Sequence, residues 1–435
     1  MNTSPVDASI EIILLKVILQ LTAIIIAARL FGAIFRRFGQ PVVCGEIAGG
    51  LLLGPSLFGR FFPEAFRTIF DPSLGSIFSI LSQLGLIFLM FLIGLEFDFG
   101  HLSDNRRTAI SVSLTGILLP FSLGFGLGWW MHGTLGLDGS WLSFSLFLAA
   151  AMSITAIPIL GRIMIELNLN RTRIGSLTIS AAAIDDAAGW IILALVTAIV
   201  KSTFDARNLA FMIAAVIAYG LFMSFGARPL LIRLFSTQFT RNGKDLSLNG
   251  LALIIIGVLI SAALTNIIGI FSIFGAFMLG AILYDQHDLR KAINRRMHDF
   301  VTAFFLPIFF TYTGLRTDIG AMSGWTLWIL CGLVLAAAVG GKLGGCTLAA
   351  RLSGIPTREA AMIGTMMNTR ALMELIVINI GYDLGIIPKS VFFMLVFMAV
   401  VTTYMTTPIL RFLVRRSEVW EDYQASEFAV RFNRT

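Results

Sequence analysis

The chain has 435 residues, of which 57% are hydrophobic and 13% are charged, and its formal net charge is +7. Hydrophobic runs of about 20 residues, the length that crosses the hydrocarbon core of a bilayer, recur along the whole sequence. We therefore predict an all-α polytopic membrane protein, embedded in a lipid bilayer. The basic residues are explained by their distribution between membrane spans, so the positive charge does not indicate nucleic-acid binding.

The hydrophobicity pattern predicts about 13 transmembrane helices. The polar, acidic N-terminal segment and the length of the first apolar run argue against a cleavable signal peptide. In chain order the predicted spans cover residues 11–35, 41–58, 77–97, 108–131, 141–163, 174–200, 207–227, 246–267, 269–284, 300–315, 324–350, 358–381 and 390–413.

Basic residues are divided unequally between the loops on the two sides of the membrane. With the N-terminus outside, most loop arginines and lysines, including Arg36, Arg37, Arg106 and Arg107, fall in the cytoplasm. This positive-inside bias predicts an outside N-terminus and a cytoplasmic C-terminus. We expect a bacterial plasma (inner) membrane, with an organellar membrane as the alternative.

Two short motifs recur seven spans apart. Residues 45–50 (GEIAGG, span 2) are echoed by 275–280 (GAFMLG, span 9), and residues 94–98 (span 3) share a G-L-x-x-D frame with 314–318 (span 10). Six helices, one linker helix and six more would place the second repeat upside down relative to the first. Such inverted repeats build a site at the bilayer midplane from crossed, broken helices.

The predicted broken helices are spans 5 and 12. Pro158 in span 5 removes a backbone donor and disfavours helix at the preceding residue. In span 12, Asn368, Thr369, Arg370 and Glu374 interrupt an apolar run. Opposed half-helices bring dipole ends of opposite sign together, and Arg370 with Glu374 either compensates those ends or forms an ion pair. A proline-kinked helix and a purely structural ion pair are the alternatives.

Asp185 and Asp186 stand side by side in the otherwise apolar span 6. A carboxylate near the middle of a membrane helix costs at least about 2.5–3.5 kcal/mol to insert, and such groups usually mark an ion or proton pathway. Lys342, flanked by glycines in span 11, is the candidate counter-charge, with snorkelling towards the cytoplasm as the alternative. We predict that Lys342 pairs with Asp185 and leaves Asp186 as the principal ion ligand.

We expect a cation that competes with protons to bind at these aspartates. Hard cations take oxygen ligands, which Thr155 and either Ser153 or backbone carbonyls would add to the carboxylates. The four histidines have no second ligand candidate beside them, and the cysteine spacings suit neither zinc nor disulfides. We therefore expect no cofactor, no catalytic metal and no enzymatic activity.

These residues resemble the second branch of the monovalent cation:proton antiporters. That group contains Nap-type sodium antiporters, Kef-type potassium efflux systems and the plant and fungal cation/proton exchangers. The similarity covers essentially the whole chain and is carried by residues 45–56, 88–96, 185–186 and 368–385. The segment 368–385, NTRALMELIVINIGYDLG, is especially similar to the plant and fungal exchangers. The adjacent carboxylates Asp185 and Asp186, together with Lys342, instead resemble the electrogenic sodium antiporters. The electroneutral relatives of those antiporters usually have Asn in place of Asp185.

The resemblance implies a homodimer that works by an elevator-type alternating access mechanism. Carried onto this sequence, residues 1–100 and 246–318 would form the dimerisation scaffold and 108–200 with 324–413 the ion-carrying core. Residues 207–235 would be the linker helix. Residues 417–435 would be a short cytoplasmic tail, so we expect no regulatory nucleotide-binding domain in this chain.

The sequence thus predicts a transporter that exchanges sodium or lithium for protons, with electrogenic transport. A potassium/proton antiporter is the alternative. Remote alternatives from other classes are a sodium-coupled organic solute symporter, a cation channel and an intramembrane aspartyl protease.

Overall fold

The computed structural model describes residues 5–96, 106–155, 157–169, 172–201, 206–238, 240–241, 245–269, 271–370, 372–415, 417 and 419–424. Asp98 of the first G-L-x-x-D motif and most of the tail at 417–435 lie outside the described residues.

The described chain is helical, as predicted, apart from a hairpin of two two-residue strands, β1 (Thr240–Arg241) and β2 (Asp245–Leu246). Short 3-10 turns lie at Pro72–Leu74 and Ile319–Ala321, and π-helical turns at Phe222–Ala227, Val301–Phe305 and Gly340–Gly344. The α-helices are α1 (Pro5–Arg37), α2 (Val42–Leu53), α3 (Phe58–Phe61), α4 (Pro63–Ile69), α5 (Gly75–Glu96), α6 (Arg106–Leu135), α7 (Trp141–Ser153), α8 (Ile157–Glu166), α9 (Arg173–Lys201), α10 (Ala206–Leu221), α11 (Arg228–Gln238), α12 (Leu248–Ile268), α13 (Ser272–Ala281), α14 (His287–Phe300), α15 (Leu306–Leu315), α16 (Trp325–Val339), α17 (Gly345–Leu352), α18 (Thr357–Met367), α19 (Leu372–Asp383), α20 (Lys389–Val414) and α21 (Trp420–Gln424).

Within the described ranges, nine helical segments are long and apolar enough to cross a membrane. The four other predicted spans coincide with shorter or interrupted helices. Spans 9 and 10 fall on α13 and α15, while spans 5 and 12 fall on the pairs α7–α8 and α18–α19. The total of thirteen spans stays a prediction.

The chain divides into two compact units. The first consists of Met1–Leu30, Glu46–Asp98 and Thr197–Arg316, and the second of Phe31–Gly45, Phe99–Val196 and Thr317–Thr435. An apolar cluster in the first unit is formed by the buried side chains of Ile24, Phe70, Leu74, Phe78 and Ile308. The second unit contains α7 packed on α6 and α19, and α20 packed on α16, α18 and α19.

Four glycines of the recurring motifs let helices of the first unit cross with their backbones in contact. Gly50 of α2 meets Gly314 of α15, and Gly94 of α5 meets Gly280 of α13. A Cβ atom at any of the four would lie 1.9–2.2 Å from a carbonyl oxygen. In each case this carbonyl belongs to the residue three positions before the opposing glycine. The two crossings therefore have the same local geometry.

The first unit contains a partly exposed ion pair between α1 and the segment before α5. The Lys16 ammonium donates to Asp71 Oδ2 at 2.7 Å, and the two side chains are 36% and 24% exposed. The hydrogen bond from Lys16 lowers the pKa of the Asp71 carboxyl to about 2, so Asp71 stays ionised at neutral pH. Pairs exposed to this degree contribute little to stability.

Candidate functional site

The predicted span 5 is interrupted within the second unit. Helix α7 ends at Ser153, Ile154 is extended (φ −90°, ψ 142°), and α8 begins at Ile157. Pro158 is the second residue of α8, where a missing N–H costs nothing because the first-turn donors have no helical partner. The chain is thus broken before Pro158, rather than kinked through it.

Span 12 is interrupted in the same unit. Helix α18 ends at Met367, and Asn368, Thr369 and Arg370 are non-helical before α19 begins at Leu372. The Thr155 hydroxyl donates to the Met367 carbonyl oxygen at 3.0 Å. The breaks of α7–α8 and α18–α19 therefore meet at one point of the fold.

The structure brings Lys342 to Asp185 at this point. Lys342 Nζ donates to Asp185 Oδ2 at 2.8 Å and also to the Ser153 carbonyl oxygen. Both side chains of the ion pair have no exposed surface. The Thr155 N–H donates to the same Asp185 oxygen at 2.8 Å. Lys342 thus lies in the interior, not in a snorkelling orientation.

Asp186 follows Asp185 on α9 and is 2% exposed. Asp185 Oδ1 is buried and accepts no hydrogen bond within the described part of the chain. Because buried carboxylate oxygens are costly to leave without a partner, this oxygen is a ready ligand for a cation or a proton.

Glycines flank Lys342 in the sequence, and Gly116 of α6 lies beside its side chain. Lys342 lies in the π-helical turn Gly340–Gly344, a distortion that is frequent at functional sites. A Cβ at Gly116 of α6 would lie 2.5 Å from Cys346 Sγ and 4.0 Å from Lys342 Cε. A side chain at Gly116 would therefore clash with Cys346, whereas its contact with Lys342 would be an ordinary van der Waals contact.

Arg370 holds the C-terminal end of α7. Its guanidinium donates to the carbonyl oxygens of Ala151 at 3.2 Å and Ala338 at 3.3 Å, and it is fully buried. Its Nη1 is also 3.6 Å from Glu374 Oε1, within ion-pair range but too far for a good hydrogen bond. Arg370 thus contacts a carbonyl of the last turn of α7 and lies beside Glu374.

Thr155 and Ser153 contact this cluster differently from the sequence-based expectation. The Ser153 hydroxyl bonds back to Ala150 O at 3.0 Å, so Ser153 contributes its backbone carbonyl. Thr155 contributes its backbone N–H to Asp185, while its hydroxyl joins the two breaks. Donation by the Thr155 hydroxyl leaves lone pairs on its oxygen.

Two threonines of α20 that were not predicted from the sequence also contact this cluster. Thr403 Oγ1 accepts from the Arg370 N–H at 3.2 Å, and Thr406 Oγ1 lies 3.2 Å from Thr369 Oγ1. Asn368 Nδ2 approaches Met405 Sδ at 3.9 Å on the same helix. Hydroxyls satisfy backbone groups freed by a broken membrane helix. The cluster VTTYMTTP at 401–408 was the available signal.

No group of three or more His, Cys, Asp or Glu able to hold a metal ion occurs in the ranges that the structure describes. Asp185 and Asp186 stay the predicted ligands of the transported cation.

Comparison with known proteins identifies the family. Residues 23–416 match the family described as "Sodium/hydrogen exchanger, transmembrane". The chain belongs to this family. It is an integral membrane cation/proton antiporter, not an enzyme, and the family needs no cofactor. The protease alternative is therefore wrong.

Individual relatives agree with this assignment. The chain is 40% identical over 399 residues to the Na(+)/H(+) antiporter NhaS4 of Synechocystis, covering 91% of this chain and 96% of the relative. It is 36% identical to cation/H(+) antiporter 17 of Arabidopsis thaliana, covering 90% of this chain and 47% of the relative. The chain thus spans about half the length of that plant relative.

Among solved structures, the sodium proton antiporter MjNhaP1 from Methanocaldococcus jannaschii has the same fold, with a TM-score of 0.64 at 16% identity. The alignment covers 95% of this chain and 99% of that protein.

The buried pair generates a stability prediction. Lys342→Met should lower the free energy of unfolding by about 3–5 kcal/mol, because Asp185 is left as a buried carboxylate without its cation. The double variant Asp185→Asn with Lys342→Met should recover most of the loss. Thermal unfolding in detergent measures both effects.

The exposed pair supplies the control. Lys16→Met should cost less than about 1 kcal/mol, as exposed ion pairs do. Equal losses in Lys342→Met and Lys16→Met would contradict an energetic role for the buried pair.

Proposed function

We propose that the chain exchanges sodium or lithium for protons at Asp185 and Asp186. The observation that carries this proposal is the fully buried pair of Lys342 and Asp185 where two broken helices meet, with Asp186 one residue away. Intramembrane acidic groups of this kind mark ion and proton pathways. The antiporter of Synechocystis at 40% identity is named for the same exchange.

Competition for the same oxygens couples the two fluxes. A cation at Asp186 and the open oxygen of Asp185 favours the ionised carboxylates, whereas its departure leaves adjacent negative charges that recruit protons. Neither ion then crosses without an exchange for the other.

Lys342 makes the exchange electrogenic in this proposal. A cation that takes Asp185 displaces the ammonium, which then releases its proton in the apolar interior. With a second proton from Asp186, two protons exchange for one cation and one net charge crosses. A membrane potential then drives the cycle by about 2.3 kcal/mol per charge per 100 mV.

The two compact units support the proposal that ion transport and dimerisation belong to different parts of the chain. All residues of the ion site lie in the second unit, which contains most of the predicted core at 108–200 and 324–413. The predicted scaffold segments and the linker at 207–235 fall almost wholly in the first unit. We propose that the second unit carries the ion in an elevator movement, and that the first forms a homodimer in a bacterial inner membrane.

The glycine crossings support the inverted repeat. In the proposed repeat, span 2 corresponds to span 9 and span 3 to span 10. Gly50 then corresponds to Gly280, and Gly314 corresponds to Gly94, so the two crossings are equivalent. The identical offsets of the contacted carbonyls are what a pseudo-twofold axis would produce.

Potassium is the second candidate cargo. A K(+)/H(+) antiporter of Saccharomyces cerevisiae is 31% identical over 398 residues, covering 90% of this chain and 41% of the relative. Selectivity between the two ions lies in cavity size and oxygen number.

Transport by the purified protein in liposomes tests the central role of Asp186. Asp186→Asn should abolish cation-dependent dissipation of an imposed pH gradient, because the site loses its principal ionisable ligand. A fluorescent pH indicator with sodium, lithium or potassium chloride also identifies the cargo. A folded Asp186→Asn protein that still couples cation and proton flux would overturn the assignment.

Electrogenicity has its own test. Replacing Asp185 by Asn and Lys342 by Ala together should make exchange insensitive to an imposed membrane potential, since the charge compensation disappears. The wild-type protein in the same liposomes serves as the control. Unaltered voltage sensitivity in the double variant would remove the pair from the coupling mechanism.

A further inference from the structure

Glu374 is a buried acid that the exchange at Asp185 and Asp186 does not use. It is the third residue of α19, in the second unit, and its side chain has no exposed surface. Neither of its carboxyl oxygens has a hydrogen-bond partner within the described part of the chain. In such surroundings an ionised carboxylate is far costlier to bury than a neutral carboxyl group, which needs no compensating charge.

Arg370 lies beside Glu374 but directs its hydrogen bonds elsewhere. Its Nη1 is 3.6 Å from Glu374 Oε1, beyond the range of a good hydrogen bond. The same Nη1 donates to the Ala151 carbonyl oxygen at 3.2 Å, and Nη2 donates to the Ala338 carbonyl oxygen at 3.3 Å. The guanidinium is therefore oriented by two carbonyls, and Ala151 lies in the last turn of α7, where the helix dipole is negative.

Two cations act electrostatically on Glu374, namely Arg370 and Lys342. Asp185 acts in turn on Arg370. Helix α7, which packs on α19, has no ionisable side chain. On α20, which also packs on α19, the titratable side chains are exposed or lie in the last turn: Lys389, Tyr404 and Arg411. Arg370 and Lys342 are thus the charges to which a proton on Glu374 is coupled.

We propose that Glu374 is a proton-binding group of the second unit, separate from Asp185 and Asp186, and that it holds a proton in the conformation described. The proton makes the carboxyl neutral and leaves Arg370 to bind the carbonyl at the end of α7. This inference rests on the proposed function in one respect, because it adds a proton to the unit that binds the cation.

Release of this proton would move Arg370. When the O–H bond of Glu374 breaks and the proton passes to water, the carboxylate left behind attracts the guanidinium away from the Ala151 carbonyl. Ala151 is two residues before Ser153, whose carbonyl accepts a hydrogen bond from Lys342. The proton on Glu374 therefore controls the support of the buried ion pair without contacting the cation.

Thermal unfolding in detergent distinguishes a neutral Glu374 from an ionised one. Glutamine has the shape of a protonated glutamate and carries no charge, so Glu374→Gln should unfold at the wild-type temperature at neutral pH. An ionised Glu374 would make the same variant leave the Arg370 guanidinium buried without its counter-charge. A loss of unfolding temperature as large as that of Lys342→Met would then follow, and would overturn the proposal.

Asp383→Asn is the matched control, because it removes an exposed carboxyl from the same helix. This variant should unfold at the wild-type temperature whichever charge Glu374 carries.

Infrared spectroscopy observes the proton itself. At neutral pH the wild type should show the C=O stretch of a protonated carboxyl, which Glu374→Gln should lose and Asp383→Asn should keep. Isotope-labelled glutamate should shift this band in the wild type, because the proton is on a glutamate and not on Asp185 or Asp186. The labelling needs no variant, so it still decides if Glu374→Gln does not fold. Absence of a protonated glutamate would overturn the proposal.

The pH profile of exchange in liposomes tests the coupling through Arg370. The wild-type rate should change with rising pH as Glu374 loses its proton. Glu374→Gln should keep coupled exchange at neutral pH but show an alkaline response at least threefold smaller, and Glu374→Asp should restore that response. An identical pH profile in Glu374→Gln and the wild type would contradict the coupling.

The same measurements separate this inference from the proposed function. If Asp186→Asn still exchanges cations for protons, the proposed function fails, whereas the infrared band of Glu374 stays. If the band is absent and Asp186→Asn is inactive, the proposed function holds and the proton on Glu374 is ruled out.

Discussion

An ammonium and a carboxylate with no exposed surface are stable inside a membrane protein only while each satisfies the other. Lys342 and Asp185 do this at 2.8 Å, and the Ser153 carbonyl and the Thr155 N–H complete their hydrogen bonds. Both backbone groups are available because the helix is broken after Ser153. The ion pair and the break therefore depend on each other.

The remaining polar groups of the second unit support that break. Arg370 binds the carbonyl of Ala151 near the end of α7, where the helix dipole is negative, and Thr403 satisfies the Arg370 N–H. Such an arrangement fixes the site without filling it, since one oxygen of Asp185 accepts no bond within the described residues. A transporter needs a rigid site of this kind, because its ligands must be positioned for a cargo that repeatedly leaves.

The sequence predicted the helical membrane architecture because apolar periodicity and span length depend only on the bilayer. It also drew attention to Asp185, Asp186 and Lys342, since charges in apolar spans are rare enough to stand out. The hydroxyl orientations of Ser153 and Thr155 were not predictable, because a broken helix exposes backbone groups that compete with side chains for the same partners. Thr403 and Thr406 were not predicted as part of the site. Threonine is common in membrane helices, where its hydroxyl usually bonds to a backbone carbonyl of the same helix. The close backbone contact between Gly50 and Gly314 could not be predicted, because it depends on which helices cross.

The central claim is that a cation and protons compete for the Asp185–Asp186 oxygens. Titration calorimetry of sodium binding to the protein in detergent, repeated in buffers of different ionisation enthalpy, counts the protons displaced by each cation. We predict that every sodium ion bound releases at least one proton near neutral pH. Saturable sodium binding with a heat that is identical in all buffers, and hence no proton release, would contradict it.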